Sequence, residues 1–161
     1  MGEGLVALIV LIVFVASAAL FARRRSTPID QYERGLPAEL RAAEIAYAEK
    51  TFRSHSRRLV ATVDRAYRTR VGIQLVELKT RSRDVVYMSD VIELSVQRIA
   101  LEDETGEAVS EDAWVLVQNG RSGKRRPRMV HLMAIAEITA MRNRYADVVQ
   151  AIVEPYKSKL T

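Results

Sequence analysis

The chain has 161 residues, a formal charge of +5 and 48% hydrophobic residues, which leaves room for one domain with a real core. It contains no cysteine, and this excludes disulfides, thiolate zinc sites and cysteine-ligated iron–sulfur clusters. The positive balance favours a polyanionic partner, nucleic acid or an anionic membrane face, without choosing between them.

Leu5–Ala22 is apolar except for Ser17, and Arg23, Arg24 and Arg25 follow at once. A helix over residues 4–22 would reach about 28 Å, close to the thickness of a bilayer core, so the sequence predicts a single transmembrane helix there. A cleaved signal peptide is the rival reading, with Ala16-Ser17-Ala18 as a cleavage site, but the segment lacks a basic leading region. The three arginines behind the apolar run place the N-terminus outside and the remainder in the cytoplasm. Residues 23–36 then form a basic juxtamembrane linker, and residues 37–161 a single domain.

Within that domain, Pro37–Phe52 reads as a helix, with Pro37 at its first turn and Leu40, Ala43, Ile45, Tyr47 and Ala48 as a mostly apolar face. Leu59–Tyr67 and Val71–Lys79 read as a β-hairpin around a polar turn that contains Gly72. A loop over Ser82–Ser89 leads to a helix from Asp90, its expected N-cap, to about Glu102. An acidic loop around Gly106 precedes two strands, Ala113–Gln118 and Arg128–Leu132, joined through Asn119-Gly120 and a basic tip. A last helix starts at His131 or Met133 and ends near Val153, ahead of Pro155. The expected architecture is an α/β mixed sheet flanked by helices.

The hairpin carries the candidate chemistry. A turn centred near Arg70 sets Asp64 opposite Glu77, and strand alternation puts Glu77 and Lys79 on one face. Ala61, Val63, Val76 and Leu78 are then left to pack the other. Like charges facing each other across a ladder are destabilising unless a cation joins them. Asp64, Glu77 and the backbone carbonyl of Leu78 are hard oxygen ligands of the kind Mg²⁺ or Mn²⁺ takes, and Lys79 is placed to orient a water or to stabilise developing negative charge. A surface hairpin with an ordinary ion pair is the plainer reading of the same spacing.

The sequence resembles the RecB-like branch of the PD-(D/E)XK nuclease superfamily, especially its CRISPR-associated exonucleases. The likeness rests on Val63-Asp64-Arg65, on Val76-Glu77-Leu78-Lys79-Thr80-Arg81, and on Ser89-Asp90-Val91-Ile92-Glu93-Leu94. It continues through Leu101-Glu102-Asp103-Glu104, Gly106 and Ala113-Trp114-Val115, covering roughly residues 37–135. It implies a restriction-endonuclease-like sheet and a nuclease that hydrolyses DNA phosphodiesters, with Asp64 and Glu77 on Mg²⁺ or Mn²⁺ and Lys79 at the nucleophile. It also implies a helical Gln at the substrate; Glu93 stands at that position, with Gln97 one turn later. Some relatives use an upstream histidine as a further ligand, which makes His55 a candidate. The iron–sulfur cluster of many relatives has no cysteines here to hold it.

Arg81 and Arg83, just beyond Lys79, are candidate phosphate clamps. Arg121, Lys124, Arg125, Arg126 and Arg128 cluster at one hairpin tip, where Lys124, Arg125 and Arg126 suit non-specific phosphate contacts. Tyr67 and Tyr87 are candidates for stacking on bases. The expected function is that of a membrane-anchored, metal-dependent nuclease acting on DNA, with RNA not excluded. The alternatives are an inactive module of the same fold that grips DNA at the membrane, and a scaffold whose basic patches serve lipid or a partner protein. The oligomeric state is not encoded in any motif.

Overall fold

A computed structural model describes residues 35–157. A 3₁₀ turn, Ala38–Leu40, leads into strand β1, Glu44–Ser54, followed by β2, Leu59–Thr69, and β3, Gly72–Arg81. Helix α1, Met88–Thr105, precedes β4, Asp112–Asn119, and β5, Arg125–His131; helix α2, Ile135–Lys157, comes last. The five strands form one sheet in chain order. All neighbours are antiparallel except β3 and β4, which run parallel. A parallel pair needs a crossover, and α1 supplies it.

The expected fold class needs correction. It began with a transmembrane helix followed by a helix over Pro37–Phe52. The described residues hold a mixed five-stranded sheet with two helices, and no helix among them is long and apolar enough to cross a membrane. The segment 4–22 lies outside the described residues. The helix over 37–52 is instead the 3₁₀ turn and β1. Its apolar spacing satisfied a helical period, but Ile45, Tyr47, Thr51 and Phe52 are strand formers, and β2 offers a pairing edge from Glu44↔Arg68 to Ser54↔Leu59. Leu36 and Leu40, assigned to the linker and to a helix, are both buried.

The remaining elements fall within a few residues of their expected positions. The β2–β3 register, from Arg65↔Val76 to Thr69↔Gly72, is the one a turn centred near Arg70 dictates. Helix α1 starts two residues early, at Met88, which makes Asp90 its third residue rather than its N-cap. Its carboxylate still caps the helix by accepting the Tyr87 N–H at 2.8 Å. The same carboxylate receives both arms of Arg81, at 2.5 and 2.6 Å, and so fastens α1 to the end of β3. Gly106, φ 72°, closes the helix by donating its N–H to Glu102 O at 2.9 Å.

The core lies between the sheet and α1. Phe52, Val63, Ala66, Leu75, Val115 and Val117 face Leu94, Ala100 and Leu101 there, and Ile138 of α2 joins Ile99 and Leu59 in a smaller cluster.

Gly72 has φ 113°, and a Cβ there would meet Ala108 O at 2.7 Å, where the approach lets Ile73 N–H bond that oxygen at 2.9 Å. Gly72→Ala should therefore lower unfolding stability by about 3 kcal/mol in urea titration. Burial opposes ionisation of Asp90, but hydrogen bonds from Arg81 and the Tyr87 N–H outweigh it and hold its pKa below the usual value. Asp90→Ala should cost about 3 kcal/mol. In the parent chain this contribution is complete above the ordinary Asp pKa of about 3.9 and fades as pH falls through the depressed folded value, so acid melts should show a shallower pH dependence for the variant.

Candidate active site

The β2–β3 ladder ends at Arg65↔Val76. Before that point β2 continues with β1 to Leu59, and beyond it β3 continues with β4 to Arg81↔Asn119. The two strands part at Asp64 and Glu77, and the fork is where the candidate residues gather.

A shared irregularity in β1 and β2 sets their directions. Val63 and Ala66 both belong to the core cluster, and Phe52 belongs to it while Tyr47 packs against it, although regular alternation would put each pair on opposite faces. Both strands therefore change face together between these positions, where Glu49 adopts φ 50°. This corrects the expected partition. Val63 and Ala61 pack on the α1 side, as does Leu75, which shares a face with Glu77. The candidate residues lie under α1 at the margin of the core, not on a face turned away from it.

Glu77 is only 4% exposed. Lys79 Nζ donates to its Oε1 at 2.7 Å and Gln97 Nε2 to its Oε2 at 3.0 Å. Lys79 also donates to Glu93 Oε2 at 2.8 Å, so its ammonium is pinned between β3 and α1. Asp64 Oδ2 accepts the Leu78 N–H at 3.4 Å, replacing a ladder partner that β2 no longer supplies. Behind it, Arg65 is buried, donates to Asp64 O at 2.7 Å and pairs with Glu49 at 3.4 Å. Sequence reasoning missed Arg65, because a cation inside a hydrophobic run carries no signal of the carbonyl it will hold.

Electrostatics at the fork are opposed. Burial pushes the Glu77 carboxyl above its ordinary pKa; hydrogen bonds from Lys79 and Gln97 pull it back, and the Asp64 charge raises it further. For Lys79, burial disfavours the ammonium, but hydrogen bonds to Glu77 and Glu93 outweigh this and raise its pKa. A cation between Asp64 and Glu77 would relieve both the burial cost and the like-charge repulsion.

Among the described residues, no group of three or more His, Cys, Asp or Glu is placed to hold a metal. The side-chain donors at the fork are the two carboxylates of Asp64 and Glu77, which fits a magnesium-type ion that takes one or two carboxylates and keeps its waters; the Leu78 carbonyl is the third donor expected from the sequence. His55 is not among them. It sits exposed in the β1–β2 turn, and the strand from Leu59 to Asp64 alone spans about 17 Å.

The other predicted residues separate into two groups. Arg81 is engaged by Asp90, by Val85 O at 2.8 Å and by the Tyr87 ring at 4.5 Å, so it braces α1 rather than standing ready for phosphate. Arg125 donates to Gln118 at 2.7 Å. Arg83, Lys124 and Arg126 line a cleft of about 190 Å³ with Asp84 and Asn119. Tyr67 is buried, while Tyr87 is half exposed. Gln97 Oε1 is buried without a partner among the described residues, beside an open groove that Val60, Ala61, Thr62, Glu93 and Val96 line.

No protein-family model matches the chain, and no curated protein sequence matches it.

A carboxylate whose pKa is raised by folding is worth most when protonated, below its unfolded pKa, and becomes a liability as pH rises through the folded value. Glu77→Gln should therefore raise the urea midpoint at neutral pH in EDTA, and the difference should vanish in acid.

Proposed function

We propose that the chain is a metal-dependent nuclease of the PD-(D/E)XK superfamily, in its RecB-like branch, that hydrolyses DNA phosphodiesters. The observation that carries this reading is the convergence of Asp64, Glu77, Lys79 and Gln97 at the point where β2 and β3 separate. The order of elements supports it as well: three antiparallel strands, a crossover helix, and a fourth strand parallel to the third. A structural role alone would be better served by apolar residues, since a buried ion pair rarely gains stability over them.

Asp64 and Glu77, with the Leu78 carbonyl, would hold a hard divalent cation, whose chemistry there would be Lewis-acid polarisation of a phosphate oxygen and a lowered pKa for an attacking water. Lys79 places its ammonium beside Glu77, where it orients the water and faces the negative charge that develops on phosphorus-bound oxygen. Gln97 fixes the rotation of the Glu77 carboxylate through one oxygen. Glu93 tethers Lys79 from the helix side, and its charge is the price of that rigidity, since it faces an anionic substrate.

End-labelled single- and double-stranded DNA, incubated with the protein and Mg²⁺, Mn²⁺ or EDTA, tests the reading. Cleavage should require the metal and disappear in EDTA. Asp64→Asn, Glu77→Gln and Lys79→Ala should each lower the cleavage rate by about a hundredfold or more. A parent chain that binds DNA under all three conditions and never cuts it would replace the nuclease by a binding module.

A further inference from the structure

The cleft lined by Arg83, Asp84, Asn119, Lys124 and Arg126 lies at the C-terminal ends of the parallel strands β3 and β4, where open α/β sheets commonly take ligands. Cross-strand pairing ties it to the fork. Arg126 pairs with Val117 and Val117 with Lys79; Arg128 pairs with Val115 and Val115 with Glu77. Directly paired residues share a face, so both arginines continue, on β5, the rows that hold Lys79 and Glu77. Two strand spacings separate the ends of each row, about 10 Å.

Asp84 joins the ends of both rows. Arg128 donates to it at 2.6 and 3.2 Å and Arg126 at 3.0 Å, and these bonds, that from Arg128 foremost, hold its pKa below the usual value. Arg83, Lys124, Arg126 and Arg128 are four cations around one carboxylate, so the cleft keeps a positive balance. The hairpin tip beside it is built rather than loose. Asn119 Oδ1 accepts the N–H groups of Arg121 and Ser122 at 3.0 and 2.9 Å, and Asn119 N–H bonds Lys124 O at 2.9 Å.

We infer that this cleft is a second phosphate site, which takes a backbone phosphate of a nucleic-acid strand anchored at the fork and passing along the exposed edge of the sheet, since Val115 and Val117 between them are buried. The inference rests on the nuclease reading for the strand's other anchor. At a rise of about 3.4 Å per nucleotide along one strand, the span covers about three nucleotides. Phosphate oxygens take the donors of Arg83, Lys124 and Arg126, while Asp84 keeps Arg126 and Arg128 extended and limits the grip.

Binding of the 161-residue chain to fluorescent single-stranded oligonucleotides, measured by anisotropy in EDTA across a salt series, tests this without turnover. Arg83→Ala and Lys124→Ala, both at exposed positions, should weaken binding and flatten the log–log salt dependence by about 0.7 for each cation removed. Asp84→Asn should tighten binding and steepen that dependence. Affinity and slope unchanged in both cation variants, with thermal melts like the parent's, would overturn the inference, as would weaker binding by Asp84→Asn. Loss of phosphatidylserine-vesicle binding in the same variants, with oligonucleotide binding intact, would assign the cleft to lipid and overturn it too. Cleft-dependent binding without metal-dependent cleavage would refute the nuclease reading alone, whereas normal cleavage with cleft-independent binding would refute the cleft alone.

Discussion

Glu77 is a carboxylate placed where apolar side chains would be cheaper. It is almost wholly buried, with Asp64 across the fork adding a second negative charge. Two donors make the arrangement tolerable, Lys79 from its own strand and Gln97 from α1. Because one donor comes from the helix, the fork forms only when α1 lies across the sheet. Asp90 and Arg81 secure that position at the start of the helix. At its far end, Asp103 ties α1 to the β1–β2 turn through Ser54 and Arg57. Sheet pairing, helix docking and the candidate chemistry are one interdependent unit.

The ion pairs divide by location. Arg81–Asp90, Arg57–Asp103 and Arg68–Glu107 link one element to another, and each consumes a cation that a count of charges assigns to a polyanion. The cations that face outward in a built setting lie instead around Asp84, at the ends of β3 and β4. A count of arginines near Lys79 therefore overstates the free positive charge in one place and misses its organisation in another.

The main parts of the site were legible. The run from Leu59 to Lys79 has strand formers on both sides of a polar turn with one glycine, so hairpin and register followed from local chemistry. Glu77 and Lys79 could be placed on a common face by alternation alone. The helix after the hairpin was readable from Val91, Leu94, Ile99 and Leu101, and Gln97 fell one turn from Glu93 on it. Asp84 was not legible as a link, because nothing local says that Arg126 and Arg128, two apart on a strand some forty residues later in the chain, will point at it.

By itself the sequence determined the hairpin, the position of the crossover helix and the absence of any thiol chemistry, since each depends on residues close in the chain or on composition. Tertiary structure decided that residues 44–54 form a strand, because their apolar spacing serves a helix or a sheet edge and only the free edge of β2 chooses. It also decided which side of the sheet holds Glu77 and Lys79. The change of face near Glu49 and Asp64 arises from two strands distorting together, and a periodicity read along one strand assumes that no such distortion occurs.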